Sequence, residues 1–303
     1  LTISAPVPPA VTTICSGGAA TPEQIVVTAG GTGALMVSLL ATCVHGDEVL
    51  VPDPAWAGYD AMLAAAGARK VYYPLRAEHD WQPDLAAMEA LVSPRTRVLL
   101  VNSPSNPGGA VWPRAVVAAL VDFARLHDLW LLSDECYDEM LFEGEHVSPA
   151  ALDAAARGDD ARVLVIGSCS KTYAMTGWRL GWVAAPPTLA PALGLLAAAQ
   201  TNNLPLFIQR AAEAALTGPQ TCVGEMRARY QRRRDLAVDL LRAHDLFEYT
   251  PHGAFYLLVQ VARAAGLPDT APFDGVEFAE RLIAERSIAV APGVAFGPRT
   301  TRT

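Results

Sequence analysis

The sequence predicts an α/β fold in which helices cover both faces of a mostly parallel, seven-stranded sheet, followed by a smaller α+β C-terminal domain. Seven short runs of apolar and β-branched residues recur between residues 25 and 184. Helix-period segments separate many of these runs, which is the alternation that parallel sheets require. The 303 residues, of which 51% are hydrophobic and 18% charged, suffice for one large domain or two unequal ones.

The predicted elements follow an N-terminal arm over residues 1–21, which is rich in Pro, Ala, Gly and Thr. We expect strands, in chain order, at residues 25–28, 49–52, 70–73, 97–101, 129–133, 163–166 and 180–184. Helices are expected at residues 33–43, 57–66 and 114–126. Ligands of such sheets bind beyond the carboxyl ends of the strands, so polar residues at those ends are the candidates for a site.

The pattern changes after about residue 206. A long helix is expected over residues 220–244, followed by an apolar run at 254–259, a helix at 276–285 and a second apolar run at 288–291. This order predicts a smaller second domain. We assign residues 1–21 to an arm that belongs with the small domain, 22–235 to the large domain and 236–303 to the small domain, which we expect to be incomplete in this sequence.

Composition and charge disfavour several classes of protein. The net charge of −8 and the absence of a basic stripe argue against nucleic-acid binding. No apolar run reaches the length of about 18 residues that a membrane span needs, and the histidines show no metal-ligand spacing. The five cysteines are scattered without a CxxC motif, which indicates reduced thiols and a cytoplasmic protein.

Lys171 is the most informative residue of the sequence. It follows the sixth predicted strand in a loop that also holds Ser168, Ser170 and Arg179. An amine beside groups that bind phosphate suits a Schiff base with a phosphorylated aldehyde. Taken alone, a lysine on a polar loop is ordinarily a surface residue, and its neighbours are what favour the functional interpretation.

Two further strand ends carry candidate groups. Gly31, Thr32 and Gly33 lie between the first strand and its helix, where glycines and helix N–H groups accommodate phosphate, although a plain tight turn explains the same glycines. Asp134 ends the fifth strand. A carboxylate there needs a positive partner, such as a protonated pyridine nitrogen, or else it caps a helix.

Asn106 and Trp56 follow the fourth and second strands. Asn106 lies in an Asn-Pro-Gly turn, and its amide either serves the turn or hydrogen-bonds a phenolic oxygen. Trp56 either stacks on a flat ring or caps the core. Five strand ends thus supply an amine, a carboxylate, an amide, an aromatic ring and a phosphate cradle to one crevice, and this inventory fits pyridoxal phosphate.

With these motifs in order, the chain resembles the class I/II aminotransferases of pyridoxal-phosphate fold type I over about residues 21–302. The motifs that carry the resemblance are Thr21-Pro22-Glu23-Gln24-Ile25, Asn106-Pro107-Gly108, Asp134-x-x-Tyr137, Ser168-x-x-Lys171 with Arg179 eight residues on, Gly253-Ala254-Phe255-Tyr256 and Pro292-Gly293-x-x-Phe296-Gly297. The resemblance implies a homodimer that transfers the amino group of an L-amino acid to a 2-oxo acid by a ping-pong mechanism.

The resemblance also implies a role for each candidate. Lys171 forms the Schiff base and moves the substrate α-proton, Asp134 pairs with the pyridinium nitrogen, and Tyr137 with Asn106 binds the ring 3-oxygen. Trp56 stacks on the ring, while the serines, Arg179 and the glycine loop hold the phosphate. The implied cofactor-binding set is Gly31, Thr32, Gly33, Trp56, Asn106, Asp134, Tyr137, Ser168, Ser170, Lys171 and Arg179, with Lys171, Asp134 and Tyr137 as its catalytic members.

The family's substrate-carboxylate arginine has a weaker counterpart here. Arg302 is the better match, and Arg299 is the alternative. Asn106 is expected to be a second substrate-binding residue. Cis peptide bonds are implied before Pro54 and Pro107, and Asn202 with Asn203 lies where a loop facing the partner subunit is expected. No metal is expected, and the identity of the amino acid and the 2-oxo acid stays open.

Two alternatives to transamination remain at this point. The motifs serve the cofactor and do not determine which bond breaks, so a β- or γ-lyase, a cyclising synthase or a decarboxylase uses the same residues. A cofactor-binding sensor domain of a transcriptional regulator is the alternative from a different class. Such chains carry a basic helix-turn-helix region, which this sequence lacks, and its negative charge also disfavours that reading.

Overall fold

A seven-stranded sheet forms the centre of the structure, a computed structural model that describes residues 20–153, 161–247, 249–264, 266–268, 271–301 and 303. The strands are β1 (Ile25–Thr28), β2 (Glu48–Asp53), β3 (Arg69–Pro74), β4 (Thr96–Asn102), β5 (Trp130–Asp134), β6 (Val163–Ser168) and β7 (Gly181–Ala184). Their order across the sheet is β1-β7-β6-β5-β4-β2-β3. Each strand overlaps the segment that the apolar runs predict.

Most neighbouring strands are parallel, as predicted. β2 pairs in parallel with β3 and β4, and β4–β5 and β5–β6 are also parallel. β7 is antiparallel to both β6 and β1. The link from β6 to β7 holds only a one-turn helix and a 3₁₀ turn, and so it reverses the chain without the long crossover that a parallel pair needs.

Helices cover both faces of this sheet. They are α1 (Gly30–Thr42), α2 (Gly58–Ala65), α3 (Leu85–Glu89), α4 (Arg114–Leu126), α5 (Pro149–Leu152), α6 (Cys169–Thr172), α7 (Ala190–Thr201), α8 (Leu206–Thr217), α9 (Thr221–Arg242), α10 (Val261–Ala264) and α11 (Gly275–Arg286). One apolar core includes Leu99, Trp112 and Leu120, and the core on the opposite face includes Leu35 and Leu164. Successive strand residues alternate between the two cores, so each face is closed to water.

The C-terminal region differs from expectation in its secondary structure. The helix predicted at 276–285 is α11, whose first turn is capped by Asp274 Oδ1 through the N–H groups of Val276 at 2.9 Å and Glu277 at 3.1 Å. The apolar runs at 254–259 and 288–291 are not strands. A strand needs a neighbour for its backbone groups, and the strand pairing described beside the first run is limited to the isolated bridge of Gly253 with Leu141.

Two further features bear on the predicted organisation. The boundary expected at residue 235 falls inside α9, while the arm at 1–21 lies almost wholly outside the described residues. No helix within the described ranges has the length and hydropathy that crossing a membrane requires.

The edge formed by the carboxyl ends of the central strands is shaped by cis proline bonds. Asp53–Pro54 and Asn106–Pro107 are cis, as the resemblance implies, and Ser103–Pro104 is a third cis bond. Pro54 follows β2 directly, and Pro104 and Pro107 lie in the segment after β4. At this edge Asp134 and Ser168 end their strands and Asn106 follows β4.

Candidate active site

A cavity of about 230 Å³ lies at this edge of the sheet. Ten of the predicted site residues line it, namely Gly31, Thr32, Trp56, Asn106, Asp134, Tyr137, Ser168, Ser170, Lys171 and Arg179. Leu35, Asn102, Cys136, Thr176 and Tyr256 complete its lining. Residues that are far apart in the sequence therefore meet at one place, as the strand-end pattern predicts.

Lys171 projects from α6, the one-turn helix that follows β6. Its Nζ atom lies 5.9 Å from the centre of the Tyr137 ring and 5.7 Å from that of Phe255. Within the described chain it has no hydrogen-bond or ion-pair partner. An amine bordered by ring faces and free of a carboxylate is available to react with a carbonyl group.

Asp134 is a buried carboxylate with only neutral partners. Its Oδ2 accepts a hydrogen bond from Tyr59 Oη at 2.7 Å, and its Oδ1 accepts one from the backbone N–H of Cys136 at 3.2 Å. Burial raises the pKa of Asp134, an effect that these hydrogen bonds partly offset. No cation of the described chain pairs with it, so a positively charged ligand atom is the partner that would stabilise its charge.

Asn106 is held by its neighbour on β4. Its backbone N–H donates to Asn102 Oδ1 at 2.7 Å, while Asn102 Nδ2 donates to the carbonyl oxygen of Asp134 at 2.9 Å. The side-chain oxygen of Asn106 is buried and has no hydrogen-bond partner among the described residues. A buried amide group without a partner costs free energy unless a ligand completes its bonds.

The hydroxyl group of Tyr137 is in contact with that of a second tyrosine. Its Oη lies 2.6 Å from Tyr256 Oη, and the two rings meet edge to face with centroids 5.7 Å apart. Burial raises the pKa of both tyrosines, so both phenols are protonated at neutral pH. One of the two hydroxyl protons is used in this contact, and the other is available to a ligand in the cavity.

The opposite end of the cavity is formed by the N-terminus of α1 and by Arg179. Gly30 has φ +76°, and a Cβ atom at this position would lie 2.6 Å from Arg179 Nη2. A Cβ at Gly31 would lie 2.8 Å from Cys136 Sγ. Only glycine lets the backbone approach so closely, which leaves the free N–H groups of the first helical turn beside a guanidinium group.

The two serines of the predicted site are both buried. Ser168 ends β6, and its Oγ donates to Cys136 Sγ at 3.5 Å. Ser170 is 7% exposed and lies on α6, one residue before Lys171. Arg179 has φ +52° and donates from Nη1 to the carbonyl oxygen of Thr176 at 2.9 Å, which fixes its guanidinium group at the cavity edge.

Trp56 and Gly33 have different positions relative to the cavity. The Trp56 ring lines it and meets the Tyr59 ring edge to face, with centroids 5.3 Å apart. Gly33 does not line it, because its α-carbon faces Thr28, whose Cβ would lie 3.4 Å from an added Cβ. Gly33 therefore packs α1 against β1, and its part in the phosphate cradle stays a prediction.

Of the two predicted carboxylate-binding arginines, Arg299 is the one that the structure describes. Arg302 lies outside the described residues. Arg299 Nε is 3.6 Å from Asp53 Oδ2, and the Arg299 backbone N–H donates to Asp53 Oδ1 at 3.4 Å, so this residue is engaged at the end of β2. Asn202 and Asn203 are exposed beside the exposed side chains of Leu206 and Phe207.

The residues at this cavity fit pyridoxal phosphate on three observations. A buried carboxylate lacks a cation, a buried amide oxygen lacks a partner, and a glycine backbone leaves room where a Cβ would meet Arg179 or Cys136. These features match a protonated ring nitrogen, polar ring substituents and a phosphate group respectively. Lys171 lines the same cavity.

Sequence reasoning missed several functional positions for identifiable reasons. Asn102 ends β4 four residues before Asn106, a strand-end position that the same argument could have selected. Tyr59 binds Asp134 from α2, and Gly30 has the positive φ that its Gly-Gly sequence allows. Tyr256 belongs to a quoted motif, but its sequence carries no signal that its hydroxyl reaches Tyr137.

Comparisons with known proteins agree with this geometry. The sequence profile of the family described as aminotransferase class I and II matches residues 15–303. An arginine–pyruvate transaminase of Pseudomonas aeruginosa is 42% identical over 284 residues, which are 93% of this chain and 70% of that protein. An aspartate/prephenate aminotransferase of Thermus thermophilus is 38% identical over 286 residues, again 93% of this chain and 70% of the relative.

Solved structures of aminotransferases are also similar to this chain. An aromatic aminotransferase from Pyrococcus horikoshii superposes with a TM-score of 0.87 at 33% identity, covering 96% of this chain and 76% of that one. The aspartate aminotransferase of Thermus thermophilus with maleate gives 0.85 at 36% identity, covering 97% of this chain and 77% of that one.

Proposed function

The chain belongs to the class I and II aminotransferases, a pyridoxal-phosphate-dependent family, and we propose that Lys171 is the residue through which this transaminase binds its cofactor and moves the substrate proton. The observation that carries the proposal is the meeting of Lys171, Asp134, Asn106 and Tyr137 in one cavity. The bound cofactor supplies an aldehyde and an electron-withdrawing ring.

Lys171 is suited to proton transfer by its position. Its Nζ has no carboxylate partner in the described chain, and its short helix follows a buried strand, so the amine is held on a rigid element. Once the substrate amine has replaced the amine of Lys171 at the cofactor, Lys171 would be free to take the proton from the substrate α-carbon and to deliver it to a different atom. The centres of the Tyr137 and Phe255 rings lie 5.9 Å and 5.7 Å from this amine.

The other residues of the site would bind different parts of the cofactor. Asp134 would hold the protonated ring nitrogen, and Tyr59 and the Cys136 N–H keep both carboxylate oxygens in place. Asn106 and Tyr137 would bind the ring 3-oxygen, and Trp56 would stack on the ring. The Gly31–Thr32 backbone, Ser168, Ser170 and Arg179 would hold the phosphate through charge-assisted hydrogen bonds.

The substrates are proposed by class only. The relatives' names give arginine with pyruvate, aspartate with prephenate, and aromatic amino acids, whose side chains differ in charge and size. What they share is an α-amino acid and a 2-oxo acid. We propose that Asn106 contacts the substrate carboxylate, and that Arg302 is the arginine that pairs with it.

A half-reaction tests the proposal directly. The loaded enzyme is mixed with one amino acid at a time, without an oxo acid, and the cofactor absorbance and the products are followed. Transamination predicts conversion to the amine form of the cofactor with release of one equivalent of 2-oxo acid. Release of ammonia over many turnovers would instead indicate a lyase, and cofactor binding without any turnover would indicate a sensor domain.

We also propose a cytoplasmic homodimer of two-domain subunits, with the large domain at 22–235 and the small domain at 236–303. The four described cysteines are free thiols, as expected in a reducing compartment. Leu195, Leu206 and Phe207 are exposed at 75%, 58% and 69%, and exposed apolar side chains of this kind suit contact with a partner subunit. Light scattering that gave a monomer of 32.1 kDa would contradict the dimer.

A further inference from the structure

Tyr256 stands apart from the rest of the cavity lining. In the described chain it is the one lining residue that comes from beyond Arg179. Its hydroxyl lies 2.6 Å from that of Tyr137, which is a short distance even for two hydroxyl groups. The contact joins the C-terminal segment to the residue proposed to bind the cofactor ring.

Backbone hydrogen bonds fix the segment that carries Tyr256. The N–H of Ala254 donates to the carbonyl oxygen of Met140 at 2.8 Å, and the N–H of Gly253 donates to that of Gly109 at 3.0 Å. Ala254 is fully buried and has φ +57°, a left-handed conformation that directs the following residues. The segment is thereby tied both to the Tyr137 loop and to the turn that holds Asn106.

Ring packing fixes the side chain itself. The Tyr256 ring lies 4.9 Å from that of Phe255, and Phe255 stacks on Tyr230 at 5.2 Å with an interplanar angle of 22°. Tyr137 meets Phe255 edge to face at 5.5 Å. Because the rings are already held, removing one hydroxyl need not move them.

Proton counting sets the direction of the bond between the hydroxyls. Each phenol carries one hydrogen and can donate only one hydrogen bond at a time. If Tyr137 donates to Tyr256, it has no proton left for a ligand. If Tyr137 donates to the ring 3-oxygen, the short contact persists only when Tyr256 donates to Tyr137.

We propose that Tyr256 is a positioning residue whose hydroxyl donates to Tyr137 Oη and so directs the Tyr137 proton at the 3-oxygen of the cofactor ring. The inference rests on the proposed function, which gives Tyr137 that oxygen as its partner. A chain of two hydrogen bonds polarises each member, so Tyr137 becomes a stronger donor than it is alone. The anionic form of the ring oxygen is stabilised accordingly.

The test is a double-mutant cycle on the full chain loaded with pyridoxal phosphate. The variants are Tyr256→Phe, Tyr137→Phe and the double variant, and the readout is the pH at which the cofactor absorbance changes. Tyr256→Phe should raise that apparent pKa by about half a pH unit, since a net hydrogen bond of ordinary strength corresponds to a shift of this size. Tyr137→Phe should raise it further.

The cycle distinguishes the chain of bonds from a structural effect. In the Tyr137→Phe background, Tyr256→Phe should add no further shift in the apparent pKa. Position 137 then carries no hydroxyl group to which Tyr256 could donate. Tyr230→Phe is the matched control, since it keeps the same ring stack but its hydroxyl does not contact Tyr137. This control should leave the apparent pKa unchanged.

Two results would overturn the proposal in different ways. If Tyr137→Phe shifts the absorbance transition but Tyr256→Phe does not, or shifts it equally in both backgrounds, the role of Tyr256 is wrong and that of Tyr137 stands. If Tyr137→Phe itself leaves the transition unchanged, the proposed placement of the ring oxygen is wrong, and the role of Tyr256 fails with it.

Discussion

The two ends of the cavity are built by opposite means. At the end of Asp134 and Tyr137, buried side chains bind one another through hydrogen bonds of 2.7 Å to Tyr59 and 2.6 Å to Tyr256. At the end of Gly30, Gly31 and Arg179, the helix backbone lies so close to the guanidinium group that a Cβ atom does not fit, and Arg179 is exposed. We call the first the ring end and the second the phosphate end.

The difference matches what each end has to do. A phosphate carries its charge permanently, so fixed N–H groups and an arginine bind it without any change in their own protonation. A ring that changes its electronic state needs partners whose charge and proton positions are controlled, and burial supplies that control. We therefore expect changes at the ring end to alter the rate of the reaction, and changes at the phosphate end to alter retention of the cofactor.

Lys171, which lines the same cavity, should give the largest effect. Lys171→Ala removes both the amine that binds the cofactor and the group proposed to move the α-proton, so turnover should fall by at least about 10³-fold. Steady-state assays measure this, and circular dichroism checks the fold. Lys70→Ala is the control, because Lys70 pairs with Asp60 at 2.7 Å on the surface. Full turnover by Lys171→Ala would contradict the assignment.

Asp134→Asn should give the next largest loss and should act at the ring end alone. The amide keeps the shape of the carboxylate but cannot neutralise a protonated ring nitrogen, so kcat should fall by about 10²-fold with little loss of cofactor. Asp153→Asn is the comparison, since Asp153 is also buried but pairs with Arg125. That variant should lose stability and keep its kcat. Equal kcat losses in both variants would mean that burial, and not position, decides the effect.

Gly30→Ala should act at the phosphate end by weakening retention of the cofactor. The added Cβ would lie 2.6 Å from Arg179 Nη2 and displace it, so the dissociation constant for pyridoxal phosphate should rise about 10- to 100-fold. Gly46→Ala has the same kind of strain at φ +89° but meets nothing within 4 Å. Equilibrium dialysis separates the two variants. Equal weakening by both would attribute the loss to backbone strain alone.

The smallest effect concerns Asp138, which follows Tyr137 in the sequence and accepts a hydrogen bond from Thr172 at 3.4 Å. Burial raises the pKa of Asp138 to about 7. A raised pKa contributes stability that is present below the ordinary pKa near 4 and is lost as the pH rises through about 7. The difference in Tm between Asp138→Asn and the parent should therefore shift in favour of the variant by about 2–4 °C between pH 5 and pH 8.

Thermal melts of both proteins across this range measure the difference. The exposed residue Glu139 provides a control, because Glu139→Gln removes a neighbouring charge without removing a buried one. A constant difference in Tm between Asp138→Asn and the parent at every pH would show that Asp138 does not titrate in this range.

The sheet was predictable from sequence because its signal is local. Each apolar run has to be buried on both faces, and a buried strand fixes the position of the polar residue that follows it. This is why the sequence alone predicts Asp134, Ser168 and Lys171 at one edge of the sheet. The absence of strands at 254–259 and 288–291 was not predictable, because an apolar run becomes a strand only when another segment pairs with it.

The remaining parts of the site depend on contacts between distant segments. Tyr59 reaches Asp134 across 75 residues, and Tyr137 reaches Tyr256 across 119. No periodicity or motif records such a contact. Gly33 shows the converse, since a glycine-rich loop has several glycines and only the backbone geometry distinguishes those beside the cavity from the one that packs on Thr28.

Reductive trapping tests the assignment of Lys171 most directly. The full chain is incubated with pyridoxal phosphate, treated with borohydride, digested and analysed by mass spectrometry for the peptide that carries the cofactor. Lys70 and Lys171 are the two lysines of the sequence, so Lys70 is an internal control. We expect one stoichiometric adduct on Lys171 and none on Lys70. An adduct on Lys70, or an unmodified Lys171 under saturating cofactor, would contradict it.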